Sequence, residues 1–486
     1  MGNIADTNLL PGVYVTIDNS LANTSTGATF KTVFFGQKTA SGTTSAETLA
    51  QVFSAEDAAT QFGNGSMLSE MFGNWFKANS VSEVYAIALD DAAASTAATK
   101  TLFVTATSVE AGTLYLYVNG NLSRIGVTAD ESADDIATAL ATAINADVTL
   151  PITASIGAGE GLVTCIAKNK GVVGNQIDVR FNNGTSEAFP SGVSVAAFAD
   201  VTGATDPDIA DAIAALPDEV YNVIVNPYTD SASLADLKTE LDRRWGNDVQ
   251  LDGVAIMAYG GTASEVITYG NTLNCQYFNI IDSGKNSMTP EYSWAPALAS
   301  RVSYSAEADP AVPFRTLILS GVDGDTASDK RTKSERKFIL SAGIGTHLVG
   351  VDGTVTIDRL VTTYKTNSVG AADTSYLNSN TTLSLSKWRQ AEITRMLSSF
   401  GRSKLAEDGT SFGAGQLIAT PASIKTAYID LYQEFVTAGI LQDIDNYVDT
   451  LSVTIDSTNR SKVNVVQQPT LVGQLYQFDS TVQFIV

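Results

Sequence analysis

Residues 32–36, 83–89, 221–225, 253–258 and 277–281 are short, nearly unbroken apolar runs, and helical patterns at 55–78, 207–216, 233–245 and 263–273 separate them. A strand that is apolar on both faces must be covered on both faces, which is the situation of a parallel sheet flanked by helices. Strand, helix, strand is the parallel crossover. The rhythm breaks once. From residue 90 the chain turns small and polar, and short β-like runs at 102–106, 113–119, 161–167 and 176–181 then surround one helix at 132–145, capped by Ser132 with Asp135 at the capping-box position. The fold class is therefore α/β and α+β multidomain, with a discontinuous α/β core domain (28–91 and 204–315) split by a β-rich insertion (92–203).

After Pro310 and Pro313 the pattern becomes α+β, giving a C-terminal domain over 316–466. It carries a helix at 330–340, a hairpin around Val351-Asp-Gly-Thr354, helices at 384–405 and 421–438, and strands at 450–455 and 463–466. Thr420-Pro421 is a strong helix start, and Ile424, Ala427, Tyr428, Leu431 and Phe435 give that helix its buried stripe.

Both ends read as strands on leashes. At the N-terminus (1–27), Val13, Val15 and Ile17 lie on one face of a run entered through Pro11-Gly12. At the C-terminus (467–486), Tyr476, Phe478, Val482, Phe484 and Val486 alternate with polar residues beyond the connector Gln467-Gln-Pro-Thr-Leu-Val-Gly473. A final strand pairs either backwards into its own body or outwards into another chain.

A net charge of −23 opposes direct contact with nucleic acid or anionic membranes. No apolar run approaches the ~20 residues needed to cross a bilayer, and the first six residues lack the basic-then-apolar order of a secretory signal. Cys165 and Cys275 stand far apart in apolar surroundings and are expected as buried free thiols. The acidic excess is uneven: residues 320–405 hold twelve Lys or Arg against eight Asp or Glu.

Catalytic constellations are not expected. The single histidine, His347, would have to serve any nucleophile alone and is read as structural or on the surface. Gly157-Ala-Gly-Glu-Gly161 and Gly413-Ala-Gly415 neither follow a strand nor carry Gly-Lys-Ser/Thr, so they are turns rather than phosphate loops. Asp206, Asp208, Asp323, Asp325 and Asp329 miss the spacing of a calcium loop. No cofactor, metal or enzymatic activity is therefore assigned. On the 384–405 helix, Ile393, Met396, Leu397 and Phe400 are expected to form the apolar stripe, with Lys387, Arg395 and Arg402 opposite as a candidate docking face for an acidic protein.

Several stretches then resemble one family: Lys330-Arg-Thr-Lys-Ser-Glu-Arg, Gly343 to Tyr364 with Gly345-Thr-His-Leu-Val-Gly350, and Gly370-Ala-Ala-Asp-Thr-Ser-Tyr-Leu377. Lys404-Leu-Ala-Glu-Asp-Gly-Thr410 and Asn459-Arg-Ser-Lys-Val-Asn-Val-Val466 continue the match. Pro11-Gly-Val-Tyr-Val15, Gly174-Asn-Gln-Ile-Asp-Val-Arg180 and the Gln-Phe-Ile-Val end belong to it too. Together they resemble the tail sheath proteins of Mu-like contractile-tailed bacteriophages (myoviruses), with the insertion departing most. The resemblance implies a structural virion protein that stacks as hexameric rings in a helical tube around a tail tube protein. It also implies contraction that drives the tube through the host envelope, with baseplate and tail terminator proteins as further partners and assembly in the host cytoplasm. Terminal arms would pair with the C-terminal domains of neighbouring copies, and an inward part of that domain, with Lys387, Arg395 and Arg402 as candidates, would face the tube. Two other classes stay open: another self-assembling shell or adhesin, and an α/β hydrolase or ligand-binding protein.

Overall fold

The computed structural model describes residues 30–157, 159–326, 328–413 and 415–485. Its centre is a six-stranded sheet in the spatial order Phe278–Asp282, Val254–Tyr259, Val223–Val225, Lys31–Gln37, Glu83–Leu89, Leu49–Gln51. The first five run parallel, with Thr32 opposite Val223 on one side and Val84 on the other. Leu49–Gln51 closes the edge antiparallel. The sheet is thus assembled from two stretches of chain separated by more than a hundred residues of sequence, as the apolar runs predict.

Period-two geometry explains why those runs are apolar throughout. Phe34 turns to one face, where it stacks on Phe72 at 4.5 Å and meets Trp75 edge-on at 5.5 Å. Thr32 shares that face and exchanges a hydrogen bond with Ser303 at 3.0 Å. Val33 and Phe35 point the other way and are equally inaccessible. Helices Met67–Phe76 and Glu291–Ala308 pack on the sheet as one pair, and Ile209–Ala214 packs with Ser231–Trp245 as another.

The expected single helix over 55–78 is two helices, Ala55–Phe62 and Met67–Phe76. Gly63 (φ 90°) and Gly65 (φ 71°) take left-handed backbone between them, and Ser66 starts the second helix by accepting from the Ser69 N–H. A continuous apolar periodicity hides such a break.

The strands between residues 99 and 201 build two further sheets with their own core. One runs Val193–Val201, Thr99–Ala106, Leu162–Ala167, Ile152–Ile156, and the other Asn121–Val127, Gly112–Val118, Val179–Phe181. Helix Ala133–Ala146 fills the space between them with Ile136, Leu140 and Ile144. Ser132 caps it as expected.

Beyond the sheet, the hairpin Thr346–Val349/Val355–Arg359 is stitched to the sheet edge by Gly345, whose N–H donates to the Ile280 carbonyl and whose carbonyl accepts from the Asp282 N–H. The long helix is Ser379–Phe400 rather than 384–405, and Lys404–Leu405 is a short strand. Its first half is inside the protein although polar: Ser379, Asn380, Thr382, Ser384 and Ser386 are all buried. Asn380 donates to the carbonyls of Pro310 and Val312, both at 2.7 Å, and Thr382 to that of Gln276. Its second half packs on helix Pro421–Thr437 in a separate cluster centred on Trp388, Tyr432, Phe435 and Tyr447. There Ile424, Tyr428, Leu431 and Phe435 of the stripe read from the sequence are buried, and Ala427 is half-buried.

Candidate assembly surfaces

The C-terminal tail is the most exposed apolar part of the described chain. Strand Thr470–Leu471 pairs with Leu441–Gln442, and no strand is formed from 472 to 485. Phe478, Val482 and Phe484 are 88%, 83% and 81% exposed. Leaving three such side chains in water forfeits roughly 1.5–3 kcal/mol each relative to burial. Tyr476 differs. Its ring lies under the Arg359 guanidinium at 4.3 Å and its carbonyl accepts from Arg315 Nη1 at 3.3 Å, so it is anchored on its own subunit. Val13, Val15, Ile17 and Val486 lie outside the described residues.

Lys387, Arg395 and Arg402 do not present one free basic face. Lys387 Nζ reaches back to the carbonyls of Glu307 and Ala308 at 3.4 and 3.3 Å, and burial holds its pKa down. Arg395 makes a forked pair with Glu434, at 2.7 and 2.8 Å. Arg402 is exposed just beyond the helix. Of the expected apolar stripe, Met396 and Phe400 pack on the C-terminal cluster and Ile393 is half-buried, but Leu397 is 68% exposed. The helix changes environment midway, so no single stripe runs its length.

Buried polar groups lie at the joints between parts. Glu70 accepts from Asn119 Nδ2 at 3.0 and 3.2 Å, and from Tyr292 and Ser293. Glu291 accepts from the Gly260 N–H at 2.8 Å and from Gln176 Nε2 at 3.1 Å, and burial pushes its pKa up to about 7. Each carboxylate therefore ties the 99–201 unit to the central body. Arg331 clamps the fully buried Asp282 while also donating to the Gly261 carbonyl. His347 is buried against Trp294, with Nδ1 2.8 Å from the Asp282 carbonyl, and burial lowers its pKa. It is a structural histidine, of the two readings the sequence left. Cys165 and Cys275 are buried free thiols, as expected, with pKa values raised to about 11 by desolvation.

Arg315, Arg359, Asn378, Asp252 and Arg389 also join distant parts of the chain and carry no mark in the local sequence, because each works through a partner far along it. Among the described residues no cluster of His, Cys, Asp or Glu suits a metal ion, and no helix is long and apolar enough to cross a membrane.

The fold and its joints define a structural protein of several packed parts with an apolar arm held out to solvent. Residues 202–363 match the family described as phage tail sheath protein central domain. The chain is 35% identical over 485 residues to the Mu-like prophage FluMu tail sheath protein of Haemophilus influenzae, covering 100% of this chain and 99% of that relative. Among solved structures, a sheath tail protein from Listeria innocua matches at TM-score 0.49 and 14% identity, covering 93% of this chain and 94% of its own. The anti-feeding prophage helical sheath in its contracted state matches at TM-score 0.47 and 12% identity, covering 98% of both chains. The chain belongs to the Mu-like phage tail sheath proteins, a family of structural virion components of contractile tails and not of enzymes.

Proposed function

We propose that this protein is the repeating subunit of a contractile sheath, polymerising as stacked hexameric rings around a tail tube and shortening to drive that tube through the host envelope. The observation that carries the reading is the tail: Phe478, Val482 and Phe484 alternate with polar residues, stand almost fully exposed and have no strand partner among the described residues. Docked on a neighbouring copy, the apolar side of residues 477–486 would bury several hundred Å², of order 10 kcal/mol gross before ordering costs. Backbone pairing would give it direction. The N-terminal strand with Val13, Val15 and Ile17 would do the same, so that connections persist while rigid bodies turn.

In this reading the chain divides into arms at 1–27 and 467–486, a discontinuous α/β domain at 28–91 and 204–315, an inserted domain at 92–203 facing outwards, and a sheath domain at 316–466. The tube partner meets Lys387, Arg395 and Arg402; baseplate and terminator proteins cap the ends. The subunit assembles in the host cytoplasm and resides in the virion tail.

Truncation after Tyr476 tests the reading. The shortened chain should keep its melting temperature and stay soluble, while sedimentation and electron micrographs show polymer for the full chain only. Polymer formed equally well by the truncated chain would sink it.

A further inference from the structure

The arm does not leave the body where its last strand ends. Leu471 is paired with Leu441, and the Val472 N–H still donates to the Ile440 carbonyl, all on the cluster built by helix Pro421–Thr437. The next residues cross to the central body. Gln474 Oε1 accepts from Asn378 Nδ2 at 3.2 Å, and its Nε2 donates to the Ala311 carbonyl at 3.4 Å. Asn378 is held in turn by Arg359 Nη2 at 3.1 Å. Arg359 then covers the Tyr476 ring at 4.3 Å, and Arg315 takes the Tyr476 carbonyl. From Gln477 to Ile485 the side chains face solvent.

We infer that Arg359, Arg315 and Asn378 form a clamp on Gln474 and Tyr476 that sets where, and in which direction, the arm is offered to a neighbouring subunit. The inference rests on the arm-donation reading above and adds to it a positioning site that no strand pattern discloses. A guanidinium over a tyrosine face is a directional contact that survives partial exposure. Among the described residues the buried Tyr476 hydroxyl has no hydrogen-bond partner, so the grip is on the ring and the backbone. With the clamp closed, the free segment is only residues 477–486, about 35 Å fully extended. With it open, the tether starts after Val472, at residue 473, and the arm's end samples a larger volume in more directions. Effective concentration at the acceptor falls as roughly the −3/2 power of tether length, about 1.7-fold here before orientation is counted. Pre-ordering residues 473–476 also spares that cost on docking. Because the segment bridges two clusters, the clamp further makes arm direction depend on how those clusters sit together.

The test uses the full chain in four variants, with critical concentration for polymerisation measured by sedimentation and melting temperature recorded alongside. Tyr476→Ala and Arg359→Ala should each raise the critical concentration about threefold or more, with melting temperatures near that of the parent. Tyr476→Phe should match the parent. An insertion of Gly-Ser-Gly between Tyr476 and Gln477 leaves the clamp and the folded body untouched and should raise the critical concentration about 1.5-fold through tether length alone and further as arm direction is lost, which keeps the test valid should either alanine variant misfold. An unchanged critical concentration for the insertion overturns the inference, as does an unchanged value for a folded Tyr476→Ala. Truncation after Tyr476 separates the two ideas: polymer from the truncated chain rejects donation itself, whereas loss of polymer on truncation with normal polymer from the clamp variants rejects the clamp alone.

Discussion

Arg389 Nη1 lies 2.7 Å from Asp252 Oδ1, and this pair fastens the long helix Ser379–Phe400 to the loop entering strand Val254–Tyr259. Asp252 is fully buried, while the arginine side chain keeps 32% of its exposure, lies over Trp245 at 5.1 Å and donates to the Trp245 carbonyl. The arrangement lets one end of the pair stay solvated while its other end holds a carboxylate inside the protein. Asp252 still has its pKa pushed up to about 6 by burial.

Arg389→Ala should therefore destabilise the folded subunit by about 3 kcal/mol at pH 8, because it strands a buried carboxylate. Near pH 5 Asp252 can hold a proton and needs no cation, so the loss should shrink. Urea denaturation of both chains at the two pH values checks this; an equal loss at both would show that the arginine acts through packing on Trp245 alone.

Glu291 gives the molecule a second pH dependence. Its folded pKa of about 7 lies above the ordinary 4.5, chiefly because burial disfavours the charge, with the nearby Asp282 adding to the shift. The folded state then binds more protons than the unfolded one between those values. The stability it contributes is complete below about pH 4.5 and is lost as pH rises through about 7, on the order of 3 kcal/mol. Glu291→Gln, which mimics the protonated form in shape, should flatten the stability profile over that window. A profile that stays parallel to the parent's would count against the assignment.

The unit between residues 99 and 201 has its own core, so excising residues 92–203 and joining the ends with a short linker should leave the central sheet folded and able to polymerise. A lower melting temperature is expected, since Glu70 loses Asn119, Glu291 loses Gln176 and Val173 leaves the main core. Insoluble product under all refolding conditions would show that the sheet depends on the insertion.

Replacing Lys387, Arg395 and Arg402 together by Glu should leave sheath-only polymer intact and weaken co-assembly with tube, most visibly at low salt. The exposed Arg395–Glu434 pair that this breaks is worth about 1 kcal/mol or less, but Lys387 also leaves the Glu307 and Ala308 carbonyls, so a modest fall in melting temperature is expected and co-assembly is compared at a temperature where both chains are folded. Co-assembly that keeps its strength and its salt dependence would show these cations to be merely solvated or internally paired.

What the sequence determined by itself is the part governed by local periodicity. Continuous apolar strands at Thr32–Phe35 and Val254–Ala258 announce a doubly covered sheet, and the change of texture after residue 90 marks the excursion that interrupts it. Ser132, Thr420 and the stripe Ile424, Tyr428, Leu431 and Phe435 were legible because capping and one-sided burial repeat at fixed spacing. The polar alternation of the tail is equally local, and it names a strand without naming its partner.

Only the tertiary structure decided the rest. The start of the long helix at Ser379 is invisible to hydrophobic pattern, because Ser379, Asn380 and Thr382 are buried through hydrogen bonds to carbonyls and side chains distant in sequence. Lys387 and Arg395 look like one basic face until Ala308 and Glu434 arrive from other elements to occupy them. Tyr476 belongs to the alternation of the arm, yet Arg359, well over a hundred residues earlier, takes it out of the arm and makes it the root. Partner choice for a charge or an aromatic ring is set by what folding brings within a few ångströms, and distance along the chain carries no record of it.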